Sequence, residues 1–260
     1  VMRCLLLFVL LCAGSALRFD FSSIVSPTEM INGEPAWVLN GDTMVQKEFL
    51  RLRDLFSITS IIETGTYHGK TTEWLSGQFE HVLSIELLPD VAEIAAKRCG
   101  HLPNVELLVG KSQEKLPEMI ARLAKSSSPP FIYLDAHVFP DTGETLLNEI
   151  RTVCALNEFV MAIDDFETPF RHFASDPQVN LATTAETLFV HCNGARHYFL
   201  SDTERPQRGV GKIFVLSAGL VEKFRVNFTE IATRDPETGV FYSTLEAEGS
   251  GSQHSPEERM

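Results

Sequence analysis

The stretch Ile61-Ile62-Glu63-Thr64-Gly65-Thr66-Tyr67-His68-Gly69 contains the features that decide the fold. Its β-branched residues are typical of the end of a buried strand. The two glycines that follow, four residues apart, predict a sharp turn into a helix, because glycine allows a positive φ and lets a ligand approach the main chain. Glu63 would lie at the carboxyl end of the strand, where open α/β sheets bind nucleotide-like ligands.

A second acidic residue follows at the distance that a nucleotide-binding crevice requires. Residues 81–90 predict another apolar strand, which ends at Glu86, 21 residues after Gly65. An acid at this position hydrogen-bonds a ribose diol and disfavours a 2′-phosphate, which counts against NADP as the ligand. The loop does not match two other glycine-rich motifs. The dinucleotide-binding fingerprint needs a third glycine, and in a P-loop the two glycines are one residue farther apart than Gly65 and Gly69.

The chain alternates predicted strands with predicted helices. Such alternation is typical of a parallel sheet covered by helices. We therefore expect an α/β, Rossmann-like, doubly wound sheet of seven strands, mostly parallel with an antiparallel last strand, and with helices on both faces. The predicted strands cover residues 60–64, 82–86, 105–109, 131–135, 159–164, 196–200 and 209–216, and the predicted helices cover 45–56, 70–78, 89–99, 113–124, 143–155 and 181–192.

The loops at the ends of these strands resemble the motifs of a known family. The stretches Glu63–Gly69, Ser84–Asp90, Gly110–Gln113, Leu134–Asp135 and Asp164–Asp165 are similar in order and spacing to those of class I S-adenosylmethionine (SAM) methyltransferases. Metal-dependent small-molecule O-methyltransferases, of the catechol and macrocin-type sugar classes, are the nearest comparison. The resemblance covers roughly residues 44–170.

The resemblance implies a role for each of these residues. SAM is expected to lie with its methionine end on the glycine loop, its ribose on Glu86 and its adenine beside Ser112 and Gln113. One Mg²⁺ or Mn²⁺ ion is expected beside the acceptor. Oxygen ligands suit these ions, which would lower the pKa of an acceptor hydroxyl. The residues implied for SAM are Glu63, Gly65, Tyr67, Gly69, Glu86, Ser112, Gln113 and Asp135, and those implied for the metal are Asp135, Asp164 and Asp165.

The sequence departs from the catechol enzymes at the general base. Those enzymes have a lysine three residues after the first metal-binding aspartate, where this chain has Val138. His137 is therefore expected to be the base, with Asp135 as the other catalytic residue, unless a metal ion acidifies the hydroxyl alone. The expected activity is O-methyl transfer to a sugar or phenolic diol. Two alternatives stay open: an inactive binding protein of the same fold, and an enzyme that binds NAD or a nucleotide sugar.

The composition limits the partners and the domain organisation. A chain of 260 residues suits one α/β domain with modest additions. Its net charge of −13 argues against nucleic acid or anionic lipid as the main partner. The partner that the resemblance implies is a small-molecule hydroxyl acceptor. We expect an irregular extension over residues 17–43, the methyltransferase domain over 44–218, an added hairpin over 219–245 and a disordered tail over 246–260.

Residues 1–16 are typical of a signal segment. Arg3 precedes an apolar run, and small residues follow at 14–16. The run is too short to span a membrane, so we expect a secreted or secretory-pathway protein without a stable membrane anchor after leader removal, with a cytoplasmic location as the alternative. In the secretory pathway the sequon at Asn227 could be glycosylated.

Three cysteines follow the leader, which allows at most one disulfide within the chain. Cys99 and Cys154 lie on predicted helices among apolar residues, so both are expected to be buried thiols, and Cys192 is the third.

Overall fold

The computed structural model describes residues 30–31, 34–35, 38–123, 127–136, 144–166, 181–201, 211–225 and 240–241. The chain divides into two units, residues 1–36 and residues 37–260. In the first unit the described residues form two short antiparallel strands, β1 (Met30–Ile31) and β2 (Glu34–Pro35).

Strands and helices alternate along the second unit. The strands are β3 (Ser60–Thr64), β4 (His81–Glu86), β5 (Val105–Val109), β6 (Phe131–Leu134), β7 (Val160–Phe166), β8 (Arg196–Ser201), β9 (Gly211–Leu216) and β10 (Val240–Phe241). The helices are α1 (Thr43–Phe56), α2 (Lys70–Ser76), α3 (Pro89–Cys99), α4 (Ser112–Leu123), α5 (Glu144–Cys154), α6 (Leu181–His191) and α7 (Ala218–Lys223), with a 3₁₀ turn at Leu39–Gly41 before α1.

The sheet confirms the predicted fold class. Its strand order is β10-β8-β9-β7-β6-β3-β4-β5. Strands β3 to β7 pair in parallel. Strand β9 is antiparallel to both of its neighbours, β7 and β8, which is the predicted reversal at the end of the sheet. All seven predicted strands are present, and the two-residue strand β10 extends the sheet by pairing with β8.

Helices cover both faces of this sheet. Successive residues of a strand point to opposite faces, and in β6 Phe131 and Tyr133 therefore join one apolar cluster while Ile132 and Leu134 join another. The first cluster includes residues of α1, α2 and α7, and the second includes residues of α4, α5 and α6. The doubly wound arrangement follows from these two clusters.

Helix α1 shows how the sequence pattern builds one of these layers. Its first turn is capped by Asp42, whose Oδ1 accepts a hydrogen bond from Val45 N at 2.9 Å. The Phe49 ring packs on the Phe131 ring of β6 with a centroid distance of 4.5 Å. The apolar residues at helical spacing are all buried, as the sequence predicted: Val45, Phe49, Leu52 and Phe56.

One cysteine prediction is wrong. Cys154, at the end of α5, forms a disulfide with Cys192, just after α6, and their Cα atoms are 4.7 Å apart. The two residues are 38 positions apart in sequence, and only the packing of α5 against α6 brings them together. Cys99 is a buried free thiol, as expected.

Several predictions concern residues outside the described ranges. They are the leader at 1–16, most of the extension at 17–43, the sequon at Asn227 and the tail at 246–260. Of the predicted hairpin over 219–245, the structure describes the helix α7 and the strand β10, and residues 226–239 with the predicted turn are not described. None of the described helices is long and apolar enough to cross a membrane.

Candidate functional site

The loop between β3 and α2 lies at the carboxyl edge of the sheet, and its glycines have positive φ angles. Gly65 has a φ of 86° and Gly69 a φ of 77°, and the exposed Tyr67 between them has a φ of 49°. A Cβ atom on Gly65 would lie 2.2 Å from the carbonyl oxygen of Asp135, a distance that real side chains do not reach. The loop therefore passes directly against the end of β6, where Asp135 N donates to the Thr64 carbonyl at 3.1 Å.

Glu86 joins this loop to the end of β4. Its side-chain oxygens accept hydrogen bonds from Tyr67 N at 2.8 Å and from Leu88 N at 3.0 Å. Each of these oxygens has a second lone pair, so Glu86 can still accept hydrogen bonds from a ribose diol. Gly110 N donates to the Glu86 carbonyl at 2.9 Å, which brings the end of β5 to the same place. The structure thus brings together the predicted glycine loop and the predicted ribose acid.

Glu63 lies beneath the loop. It is 1% exposed, and its Oε2 accepts hydrogen bonds from Thr72 Oγ1 at 2.5 Å and Ser84 Oγ at 2.6 Å. Burial raises the pKa of Glu63 from its ordinary 4.5 to about 7. The two hydroxyl hydrogen bonds partly offset this effect by lowering the pKa, and the charge of Glu86 adds a smaller increase. These contacts tie the start of α2 to β4, and a direct contact of Glu63 with SAM stays a prediction.

Apolar side chains lie beside Glu86 at the surface. Leu87 is 52% exposed and Leu88 is 44% exposed. Val109, the ladder partner of Glu86 on β5, is 49% exposed. Exposed apolar side chains next to convergent polar groups are typical of a ligand site. Leu87 and Leu88 were not identified from the sequence as site residues, although an apolar pair directly after the strand-ending acid was a usable signal.

Ser112 and Gln113 begin α4, two residues after Gly110. Ser112 is buried and Gln113 is partly buried. Both residues therefore lie near Glu86 at the carboxyl edge of the sheet, and their contact with an adenine ring stays a prediction.

At the ends of β6 and β7, on the other side of the glycine loop from β4, two acidic residues share one hydroxyl. Tyr133 Oη lies within hydrogen-bonding distance of Asp164 Oδ2 and, at 3.0 Å, of Asp135 Oδ2, and its one proton can be donated to either acid. Burial, together with the charges of Asp135 and Asp164, raises the pKa of Tyr133 well above its ordinary value, so the hydroxyl keeps its proton and remains a donor. The other oxygen of Asp164, Oδ1, forms an ion pair with Nζ of Lys212 on β9.

Neither Lys212 nor the Tyr133 hydroxyl was identified from the sequence. The signal for Lys212 was a lysine inside the apolar stretch Gly211–Leu216, because lysine is almost never fully buried without a partner. No comparable signal marked the Tyr133 hydroxyl, since tyrosine is common in buried strands.

The predicted metal site does not fit these contacts. A divalent ion held by carboxyl groups needs their oxygens directed at one point. Both oxygens of Asp164 are already engaged, one of them by an ammonium group that would repel the ion. The side chain of Asp165 is not described, and the described residues contain no group of three or more His, Cys, Asp or Glu placed to hold a metal ion. In the described contacts, Asp164 is therefore the ion-pair partner of Lys212 and not a metal ligand.

The predicted general base is not described. His137 and Val138 fall in residues 137–143, which lie outside the described ranges. The preceding Asp135 is described and partly buried, so the structure places one of the two predicted catalytic residues.

A groove of about 690 Å³ lies at the opposite edge of the sheet, lined in part by Ser60, His81 and Asn104. These residues are at the amino ends of β3, β4 and β5. Ligands of open α/β sheets bind outside the carboxyl ends of the strands, so the candidate site is the cleft formed by the glycine loop, Glu86 and Asp135.

Comparisons with known proteins find similar structures. No protein-family model matches the chain, and no curated protein matches it. The O-methyltransferase TomG from Streptomyces achromogenes, involved in tomaymycin synthesis and solved with SAM, is 21% identical over 67% of this chain and 80% of its own, with a TM-score of 0.46. An O-methyltransferase from Bacillus cereus, solved with SAH, is 20% identical over 66% of this chain and 80% of its own, with a TM-score of 0.48.

A third similar structure is the SAM-bound amino pentose methyltransferase CalS10 from Micromonospora echinaspora. It is 12% identical over 68% of this chain and 91% of its own, with a TM-score of 0.49. With identities and TM-scores this low, neither the activity nor the cofactor of these enzymes transfers to this chain. The fold rests on the order and direction of its own strands.

Proposed function

We propose that this protein is a SAM-dependent methyltransferase that transfers a methyl group to a hydroxyl of a small molecule. The observation that best supports the proposal is the pair of hydrogen bonds from the main chain of Tyr67 and Leu88 to Glu86. They hold the acid at the end of β4 against a glycine loop whose spacing resembles that of class I methyltransferases. A reversed strand, β9, between β7 and β8 is a second feature that agrees with this resemblance.

The cofactor half of the proposed site extends from the glycine loop to the end of β5. Glu86 would accept hydrogen bonds from the ribose diol through its remaining lone pairs. The exposed Leu87 and Val109 offer an apolar surface for the adenine ring. The main chain at Gly65, where a side chain cannot fit, would allow the methionine end to approach closely.

Methyl transfer from a sulfonium is an in-line displacement, so much of the rate comes from holding the acceptor oxygen near the methyl carbon. In this chain Asp135 lies against Gly65 and is therefore the described residue best placed at the boundary between the two substrates. A hydroxyl acceptor must lose its proton, and His137 remains the proposed base. A sugar or phenolic diol remains the proposed acceptor class.

We also propose that the protein works in an oxidising compartment. The Cys154–Cys192 disulfide supports this location, because disulfides persist in secretory compartments and are rare in the cytosol. It agrees with the signal-like leader. Expression in a eukaryotic host followed by mass spectrometry of the Asn227 peptide tests the location, and an unmodified peptide together with intracellular retention would contradict it.

Calorimetric titration separates the proposed function from its alternatives. SAM should bind with micromolar affinity and NAD or a nucleotide sugar should not. Glu86→Ala should weaken SAM binding by about 1.5–3 kcal/mol, the range for hydrogen bonds to a charged group. Glu222→Ala is the matched control, because Glu222 is an exposed acid on α7. Equal SAM affinity in Glu86→Ala and Glu222→Ala would refute the ribose assignment.

Turnover distinguishes an enzyme from a binding protein of the same fold. The protein is incubated with radiolabelled SAM and a panel of sugar and phenolic diols, and transfer of label is measured. Labelled product confirms an O-methyltransferase. SAM binding without transfer to any acceptor would favour the non-enzymatic alternative.

A further inference from the structure

A buried lysine faces Asp164 near the end of β7. Lys212 is 2% exposed and Asp164 is 0% exposed, and Nζ of the lysine forms an ion pair with Oδ1 of the aspartate. Removing both charges from water is costly, and apolar residues of similar volume are often at least as stable in such a position. Stability alone therefore does not explain a buried ion pair at the edge of the sheet where a ligand is expected.

The strand pairing places Lys212 opposite the two acidic residues of β7. The ladder between β7 and β9 shifts register between Ile163 and Phe166. As a result two residues of β7, Asp164 and Asp165, lie opposite Lys212 alone. A bulge of this kind changes the direction of a side chain and is over-represented next to active sites.

One side chain connects this ion pair to the cleft. Tyr133 Oη lies between Asp164 Oδ2 and Asp135 Oδ2, 3.0 Å from the latter, and can donate its one proton to either. Asp135 is partly exposed, and its carbonyl lies against Gly65. The positive charge of Lys212 is thus separated from the acid in the cleft by a single aspartate and a single hydroxyl.

We propose that the Lys212 ammonium takes the place that the family resemblance assigns to a divalent metal ion. This inference rests on the proposed methyltransferase function. The ammonium compensates the charge of Asp164, so the one proton of the Tyr133 hydroxyl can be donated to Asp135 Oδ2 and orient that acid at the cleft. Lys212 is a positioning residue, because it acts on the site through Asp164 and Tyr133. Methyl transfer then needs no ion bound at Asp164.

The first test measures the response of thermal stability to MnCl₂. Lys212→Met removes the ammonium and keeps the length of the side chain, and Lys212→Arg keeps the charge. We expect MnCl₂ to leave the melting temperature of the wild type and of Lys212→Arg unchanged within about 1 °C, and to raise that of Lys212→Met, since Asp164 then lacks its cation. Lys223→Met, at an exposed lysine on α7, is the control.

Two results of this test would overturn the inference. An equal rise in the wild type would mean that a metal site exists beside Lys212. Identical responses in Lys212→Met and Lys212→Arg would mean that the charge of Lys212 does not determine whether a metal ion binds.

If Lys212→Met does not fold, a measurement of Mn²⁺ binding to the wild type still tests the inference. The electron paramagnetic resonance signal of free Mn²⁺ is followed during titration of the wild type and of Asp135→Asn. We expect the wild type and Asp135→Asn to bind Mn²⁺ alike, with no Mn²⁺ site of about millimolar or tighter affinity that is lost in the variant. One ion per chain that binds to the wild type and is lost in Asp135→Asn would refute the inference. SAM calorimetry in the same metal-free buffer tests the proposed function separately, because it does not depend on the Mn²⁺ result.

Discussion

Gly65→Ala should disrupt both the fold and the proposed site. The added Cβ would lie 2.2 Å from the carbonyl oxygen of Asp135 and 2.8 Å from its carbonyl carbon, and the φ of Gly65 is +86°. Both clashing atoms belong to the main chain, so no side-chain rotation can relieve the overlap. Because Asp135 N is also bonded to the Thr64 carbonyl, the loop and the end of β6 would have to move apart.

The expected loss of stability has two parts. An alanine with positive φ costs roughly 1–2 kcal/mol, and forcing extra atoms into a packed region costs typically about 1–3 kcal/mol. Their sum is about 2–5 kcal/mol. For a chain of this size each kcal/mol lowers the melting temperature by about 2–4 °C, so a fall of about 4–20 °C is expected.

Gly194→Ala is the matched control. Gly194 has a φ of +72°, and its Cβ would lie 3.2 Å from the Cβ of Ala218, a side-chain contact outside the cleft. We expect this variant to lose about 1–2 kcal/mol, the cost of the backbone conformation, and to bind SAM as the wild type does. Thermal unfolding and SAM calorimetry are measured on both variants. Gly65→Ala should bind SAM at least about tenfold more weakly, and wild-type affinity in Gly65→Ala would refute the close approach of SAM to this loop.

Two further predictions concern buried groups. The pKa of Glu63 is about 7 in the folded state and 4.5 ordinarily. Between pH 4.5 and 7 the folded state therefore binds a proton that the unfolded state has lost, so the free energy of unfolding falls as the pH rises through this window. Unfolding free energies of the wild type and Glu63→Gln at pH 5 and 8 should show about 2–3 kcal/mol of this fall in the wild type alone, and parallel pH dependences would contradict it. Reduction of the Cys154–Cys192 disulfide, which closes 38 residues, should cost about 4 kcal/mol in the chain-entropy model. Dithiothreitol should then lower the melting temperature of the wild type and leave a Cys154→Ser, Cys192→Ser variant unchanged; equal behaviour of the two would show that the disulfide does not form.

The sequence predicted the central strands and helices well because their signals are local. The predicted ranges for β3, β5 and α3 equal the observed ones, since apolar runs mark the strands, and Pro89 and Gly100 bound the helix. The prediction for β7 ended at Asp164, whereas the strand continues to Phe166. That extension depends on pairing with β9, a strand that lies far along the chain, and no local pattern encodes it.

The other features likewise divide into those that local sequence predicts and those that depend on residues far apart in the chain. The glycine loop and Glu86 were predictable, because one βαβ unit fixes both and their spacing can be counted. The Cys154–Cys192 disulfide was not, because two helices must pack before the thiols meet. Lys212 was not either, since it lies 48 residues after Asp164 and reaches it only through the β7–β9 ladder.

Lys212 also shows why an acidic motif at a strand end does not by itself determine its cation. From the sequence, the family resemblance implies that Asp135, Asp164 and Asp165 bind one divalent metal ion, for which carboxylate oxygens are suitable ligands. From the fold, the same position indicates an ion pair, because a lysine from the antiparallel strand β9 faces Asp164 across the bulge. Lys212, which lies on a different strand from the acids, decides between the two interpretations. In sheets with a reversed strand beside the acidic one, the residue opposite the bulge should therefore be identified before a metal ion is assigned.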